Sequence, residues 1–522
     1  MVKNPCEEGM AIRPQAAPLG SANGSWILVT TILGSSIAFV DGTVVAVALP
    51  VLQNAFQATV AQVQWIVESY ALLLAALLLL GGSLGDRLGR RRVYVIGIGI
   101  FAVASAWCGL STDIHQLIVA RAIQGIGGAL LIPGSLAIIS ASFNEEDRGR
   151  AIGTWSGFTA ITAALGPALG GWLVEHLSWR WAFFINLPLA VVVIGLATLR
   201  VPESRNEETG TVLDWPGALL TTLSLGLLVF GLIESSSRGW NHPAVFGTGL
   251  AGLVLLALFV IWEGHSEAPM IPLALFRSSD FSGANAVTFF LYTALGGALF
   301  FVPFNLIQVQ GYSPTAAGAS LLPFILIMFF LSRWTGGLVH RYGSRLPLVV
   351  GPTIAALGFA LFALPNVGGS YWDTFFPAAC ALGLGMAVSV APLTTTVMGA
   401  AGKDKAGVAS GINNAVSRVG GLLAVALFGI ILAHVFSLQL DDKLSRLDVD
   451  HGVRQSISEQ KTRLAAITIP SGTPPQVAAR IRQGIAESYV HGFRWVMATS
   501  AFLSVLSALS SWLVIAAKEK KT

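Results

Sequence analysis

Three ionisable side chains, Asp41, Glu68 and Arg121, stand inside long apolar runs of this chain. A charge is costly in hydrocarbon, so such residues mark a substrate or proton path or else neutralise one another. Burial disfavours the charged form of a carboxylate and a neighbouring guanidinium favours it, so a carboxylate held between the two can take up and release protons. At 1.5 Å per helical residue the three share one layer, about 10 to 14 Å below one surface. Proton exchange at Asp41 beside Arg121 is the chemistry on offer. The plainer alternative is that Arg121 only neutralises an acid and holds helices in register. Glu68 reads as a second proton site or as a counter-charge for a cationic substrate.

The elements that position these residues follow from composition. Of 522 residues, 11% are charged and 54% hydrophobic, and the mean hydropathy is +0.71, where a soluble domain carries about 25% charged residues. The chain therefore reads as an all-α integral membrane protein. Windows of about 20 apolar residues place spans at 26–50, 61–81, 93–110, 114–138, 149–172, 179–199, 215–235, 244–263, 281–307, 314–337, 346–366, 373–399, 406–435 and 490–517, fourteen in all. The 57 glycines suit closely packed membrane helices. The net charge of +4 sits mainly in short loops, as topology requires, so no nucleic-acid partner is expected. Cys6, Cys108 and Cys380 match no metal spacing, so no metal site is expected. The sequence has no HExxH or Walker A signature, and an enzyme is not expected.

Short loops on one side carry Arg87, Arg90, Arg91, Arg92, Arg148, Arg150, Arg200, Arg205, Arg277, Arg341, Arg345, Lys403 and Lys405, while the other side has little more than Arg180 and Arg238. By the positive-inside rule both termini are cytoplasmic, in a cell or inner membrane. The turn Gly82 to Arg91 after span 2 recurs as Gly336 to Arg345 after span 10, with His340 in place of Asp86. A six-helix unit therefore repeats around an inserted pair. The expected division is a cytoplasmic tail at 1–25, a six-helix bundle at 26–200, the inserted pair with flanking loops at 201–280, a second bundle at 281–517, and a cytoplasmic tail at 518–522. Within the second bundle, 437–489 faces outside and reads as a solvated loop. Helix-forming stretches at 456–467 and 476–487 around the turn at 469–475 would alternatively let it form a hairpin over the outer mouth.

Several motifs together resemble a known family. Asp41-Gly42-Thr43-Val44-Val45-Ala46-Val47-Ala48-Leu49-Pro50, with Ala46 where Asn is usual, Arg121-Ala122-Ile123-Gln124-Gly125, Trp179 to Pro188, Asp214-Trp215-Pro216-Gly217 and Ser410 to Asn414 with Arg418 are similar to signatures of the fourteen-span drug:proton antiporters of the major facilitator superfamily. The resemblance implies two six-helix bundles plus two inserted helices, a role for Arg121 in proton transfer, and an antiporter signature on span 5 formed by Gly157, Gly166, Pro167, Gly170 and Gly171.

On the residues, Gly82, Asp86, Arg87, Gly89, Arg90 and Arg91 read as a gating latch for the outward-facing state, whose arginines can bridge to the neighbouring bundle; the plainer alternative is a turn carrying inward positive charge. Trp65, Tyr292, Asn305, Asn413 and Arg418 are candidates for the substrate cavity, with a lipid-facing or packing role the plainer reading for any single aromatic or amide among them. Asp280 and Asp373 fall near span ends, so the second half lacks a mid-membrane carboxylate, and monocations or neutral lipophiles fit better than dications. The expected function is export of lipophilic drugs or toxic compounds by alternating access, driven by the proton gradient without a cofactor. The alternative is a specific endogenous metabolite or lipid in the same cavity. Expected partners are the lipophilic substrate, protons, the bilayer and, in a two-membrane cell, a periplasmic adaptor and outer-membrane channel.

Overall fold

A computed structural model describes residues 18, 21–205, 214–266, 269–401, 406–447 and 449–516. The tail at 518–522, most of that at 1–25, and Lys403 and Lys405 lie outside the described residues. Fourteen helices among those described are long and apolar enough to cross a membrane: spans 1 to 7 are Ala22–Phe56, Val60–Leu88, Arg90–Leu110, Ile114–Ser142, Asp147–His176, Trp181–Arg200 and Trp215–Ser236. Spans 8 to 14 are Pro243–His265, Ser279–Val309, Pro314–Ser332, Arg345–Phe362, Phe375–Ala401, Val408–Arg446 and Pro475–Val514. The chain is a multi-pass membrane protein.

Local chemistry sets the helix starts. Thr59 and Gln62 form a reciprocal capping box at span 2, and Asp113 accepts the backbone N–H groups of His115 and Gln116 at span 4, each satisfying donors that a helix leaves open. Prolines sit inside spans 1, 4, 5, 9, 11 and 12, where neighbouring helices cover the backbone groups they release.

The two groups of six share one pattern of neighbours. Span 4 packs on spans 1, 2 and 3, span 5 on span 1, and span 6 on spans 1 and 3; span 12 packs on 9, 10 and 11, span 13 on 9, and span 14 on 9 and 11. Span 7 lies against spans 2 and 13, and span 8 packs chiefly on span 7 with only 17% of its apolar window buried. The remainder of that surface is left for lipid.

Segment 437–489 departs from the solvated-loop expectation. Span 13 runs on to Arg446 and span 14 begins at Pro475, so both helices continue well past the apolar windows. Hydropathy marks where hydrocarbon ends, whereas a hydrogen-bonded helix persists if it finds partners, here the Lys443–Glu487 ion pair between the two extensions. Helix His451–Glu459 and the 3₁₀ turn Lys461–Ala466 lie between them. Leu464 takes a left-handed backbone, φ 55°, and is 2% exposed. Such a conformation costs a non-glycine residue about 1 kcal/mol or more, and burial of the Leu464 side chain in the main core cluster offsets it.

Candidate functional site

Asp41 on span 1 is completely buried and saturated with donors. Arg121 Nη1 donates to Oδ2 at 2.6 Å, while Gln124 Nε2 and Asn186 Nδ2 donate to Oδ1 at 2.8 and 3.0 Å. Arg121 also donates through Nη1 to Gln124 Oε1 at 2.7 Å and through Nε to the Ile66 carbonyl at 3.1 Å, and lies 4.2 Å from the Tyr70 ring centre. Ser105 Oγ accepts from Asn186 Nδ2 at 3.0 Å and donates to the Phe183 carbonyl at 2.9 Å. Spans 1, 2, 3, 4 and 6 thus converge on one ion pair, and the surrounding hydrogen bonds offset the desolvation of both charges.

The structure brings Asp41 and Arg121 together but leaves Glu68 out. Glu68 is 1% exposed and its Oε2 has no hydrogen-bond partner. It lines a cavity of about 1250 Å³ between the two groups of six, together with Gly42, Thr43 and Ala46 of span 1, Gly157 and Pro167 of span 5, Phe300 of span 9 and Arg418 of span 13. Ala46, where a polar residue is usual in the resembling motif, is therefore a wall position. The cavity reaches Gly153, one to two turns from the start of span 5, and Ser332, the last residue of span 10. Both lie toward the end that carries Arg87 to Arg92.

The opposite end is closed. A Cβ on Gly171 would stand 2.2 Å from the Pro314 carbonyl oxygen, and one on Gly318 would stand 2.0 Å from that of Pro167, so spans 5 and 10 touch backbone to backbone. Gln53, 1% exposed, is the polar hub there. Its Nε2 donates to the Ala58 and Arg463 carbonyls at 3.3 and 3.1 Å, and its Oε1 accepts from Gln308 Nε2 at 2.9 Å. Arg463 Nη1 in turn donates to Gln57 Oε1 at 2.8 Å. The segment after span 13 therefore docks across the tip of span 1, which is the role of the alternative hairpin.

Four of the five residues expected in the cavity are elsewhere. Trp65 faces span 7, its ring centre 6.1 Å from that of Phe230; the inserted pair offers an apolar surface that composition does not distinguish from a cavity wall. Tyr292 packs against the cluster containing Leu393 and Ile412. Asn305, 2% exposed, opens the π-turn Asn305–Val309 and accepts from Gln310 Nε2 at 3.2 Å. Asn413 donates to Asn285 Oδ1 at 3.1 Å and Thr288 Oγ1 at 2.5 Å. Arg418 alone of the five lines the cavity.

The arginine-rich turn also differs from expectation. Arg90 Nε pairs with Asp86 Oδ1 at 2.7 Å, one turn away. Arg91 and Arg92 lie 3.6 and 3.7 Å from Glu203 Oε2, Arg91 Nη1 donates to the Val201 carbonyl at 3.1 Å, and the Arg91 N–H donates to Glu203 Oε1 at 3.1 Å. These contacts pin the segment after span 6 to the start of span 3. Among the described residues none of these bonds reaches the second group of six, because the cavity mouth separates the groups here. Gly89 has φ 110°, and a Cβ would stand 2.8 Å from the Glu203 carboxyl, so this turn admits only glycine. Arg87 is exposed, and Gly82 would gain only an ordinary contact with Pro133.

On span 5 the glycines serve packing. Cβ atoms on Gly166 and Gly170 would meet Thr43 Oγ1 at 1.8 Å and Val44 Cα at 2.7 Å on span 1, whereas Gly157 and Pro167 line the cavity. Gln124 and Asn186, present in the quoted motifs but given no role there, and Ser105 and Tyr70, not singled out, complete the Asp41 site. The signal available was polarity recurring within the apolar runs of spans 2, 3, 4 and 6.

Comparison with known proteins gives consistent results. The pattern of the Major Facilitator Superfamily matches residues 31–425. The chain is 33% identical over 497 residues to the multidrug resistance protein Stp of Mycobacterium tuberculosis, covering 93% of this chain and 91% of that protein. It is 32% identical over 490 residues to the tetracenomycin C resistance and export protein of Streptomyces glaucescens, covering 92% and 90%. Among solved structures, a bacterial homolog of the human lysosomal transporter Spinster, inward-facing and unoccupied, superimposes with a TM-score of 0.66 at 17% identity, covering 94% of this chain and 98% of that one. The xylose transporter XylE of E. coli, inward open, gives 0.56 at 15% identity, covering 95% and 97%; at such identities these two establish the fold alone.

Proposed function

The chain belongs to the Major Facilitator Superfamily, and on that premise we propose that it exports lipophilic compounds of the drug and antibiotic class in exchange for protons, by alternating access. The observation that carries this is the cavity of about 1250 Å³, apolar over most of its wall and closed at one end, beside a buried carboxylate–guanidinium pair. Relatives named for multidrug resistance and for tetracenomycin C resistance and export support the substrate class. We read the end bearing Arg87 to Arg92 as cytoplasmic from its charge, as are both termini, and on that orientation the cavity opens toward the inside of the cell. In a two-membrane host an adaptor and outer channel would carry the product onward.

The chemistry follows from the Asp41 site. Unprotonated, Asp41 accepts three hydrogen bonds and balances Arg121. A proton on it removes that balance, and Arg121 must then find negative charge or polar atoms elsewhere, which favours a different arrangement of spans 1 and 4. Each proton entering down a 100 mV potential supplies about 2.3 kcal/mol, and this gradient is the sole energy source. Glu68, facing the cavity with an unpartnered oxygen, is the second candidate group.

The test is efflux of a fluorescent lipophilic dye from cells expressing the wild type or Asp41→Asn, with and without a protonophore. Energy-dependent efflux lost in both the variant and the uncoupled cells is expected. Efflux undiminished in Asp41→Asn would overturn the proton-site assignment, and no efflux of any dye across a panel would favour a narrow endogenous substrate.

A further inference from the structure

Among the described residues, the cavity wall carries two ionisable groups, Glu68 and Arg418. Arg418 comes from span 13, reaches the cavity surface, and has no carboxylate within ion-pairing distance among the described residues. Nor do the described residues offer its guanidinium a hydrogen-bond acceptor. Tyr70, whose ring lies against Arg121, is an electrostatic neighbour. Where Arg121 is fully compensated by Asp41, Gln124 and the Ile66 carbonyl, Arg418 is a cation facing an apolar space without a partner.

Water entering the open cavity can solvate this charge, but a lipophile that displaces that water must replace its hydrogen bonds and charge balance. We propose that Arg418 is the recognition point for an acidic group, a carboxylate or phenolate, on the transported lipophile. The guanidinium presents paired N–H donors in one plane, which a carboxylate accepts through both oxygens. The apolar walls formed by Phe300, Phe324, Met328 and Leu422 hold the hydrophobic remainder. Absence of a mid-membrane carboxylate in the second half argued against dications; Arg418 goes further and selects for negative charge. This deepens the export proposal and rests on it.

The probes are 1-pyrenebutyric acid and its neutral counterpart 1-pyrenebutanol, which share a hydrocarbon body. Binding is followed on the full chain in lipid nanodiscs, and export of both probes in proteoliposomes. The wild type is expected to bind the acid about tenfold or more tightly than the alcohol, the value of hydrogen bonds to a charged group. Arg418→Gln should erase that difference while binding of the alcohol stays within about twofold, and Arg418→Lys should keep part of it. Equal binding of acid and alcohol by the wild type would overturn the proposal, as would equal losses of both in Arg418→Gln. Export of the alcohol without any preference for the acid would leave the export reading standing and remove this one. A preference in binding with neither probe exported would do the reverse.

Discussion

The two groups of six helices repeat one packing pattern and differ in how they treat polar groups. In the first, Asp41, Arg121, Gln124, Asn186 and Ser105 bond one another within a wholly buried site. In the second, a neutral cluster of Asn413, Asn285 and Thr288 lies within about two and a half turns of the starts of spans 9 and 13, and one cation, Arg418, is left to the cavity. A duplicated scaffold has thus been divided by chemistry. One half holds Asp41 and Arg121 among its own side chains, where a proton can perturb them, and gives the cavity a carboxyl, Glu68; the other turns a cation toward whatever enters.

The largest expected effect breaks the balanced half. Asp41→Asn leaves Arg121 without its counter-ion; separating a buried pair costs about 3 to 5 kcal/mol. Proton-driven efflux should fall more than tenfold, and thermal unfolding in detergent should shift to lower temperature. Efflux at wild-type rate would mean that the two halves are not divided as described. Next comes the seam between them. Gly171→Leu places side-chain atoms where the Pro314 carbonyl lies 2.2 Å from a Cβ, so spans 5 and 10 cannot meet. A cysteine placed at the wall position Ala46 should then react with an impermeant maleimide from the far side, which it should not do in the unsubstituted background. Gln53→Ala should produce the same change to a smaller extent. The loss of hydrogen bonds to Arg463 and Gln308, worth about 1 kcal/mol each, gives roughly a 5- to 30-fold rise in labelling. The smallest effect belongs to the neutral cluster. Asn413→Ala should cost about 0.6 kcal/mol of stability, the average for hydrogen bonds between membrane helices, and leave efflux unchanged. A larger transport defect would show that the second half's polar cluster takes part in turnover.

Much of this was legible in the chain. Charges within apolar runs had to find partners, and Arg121 with Asp41 did. The fourteen runs became fourteen helices because twenty apolar residues have no other stable form in a bilayer. What escaped sequence reasoning was the direction in which each face points. Trp65 and Glu68 lie three residues apart on span 2, yet one meets span 7 and the other the cavity, since an apolar run looks the same whether lipid, a helix or a cavity lies beside it. The arginine turn was read as reaching the second bundle, but Glu203, three residues past the end of span 6, takes Arg91 and Arg92 instead. The extension of span 13 to Arg446 was missed because polar composition in water is compatible with both coil and helix until a partner such as Glu487 is known.

Among the described residues, the segment that crosses from span 13 to span 14 hydrogen-bonds to Gln53 and Gln57 at the tip of span 1. On the proposed orientation that grip lies on the outer face of the cell. An antibody fragment or peptide that tightened it would arrest the cycle from outside, with no need to cross the membrane and no exposure to the efflux it blocks.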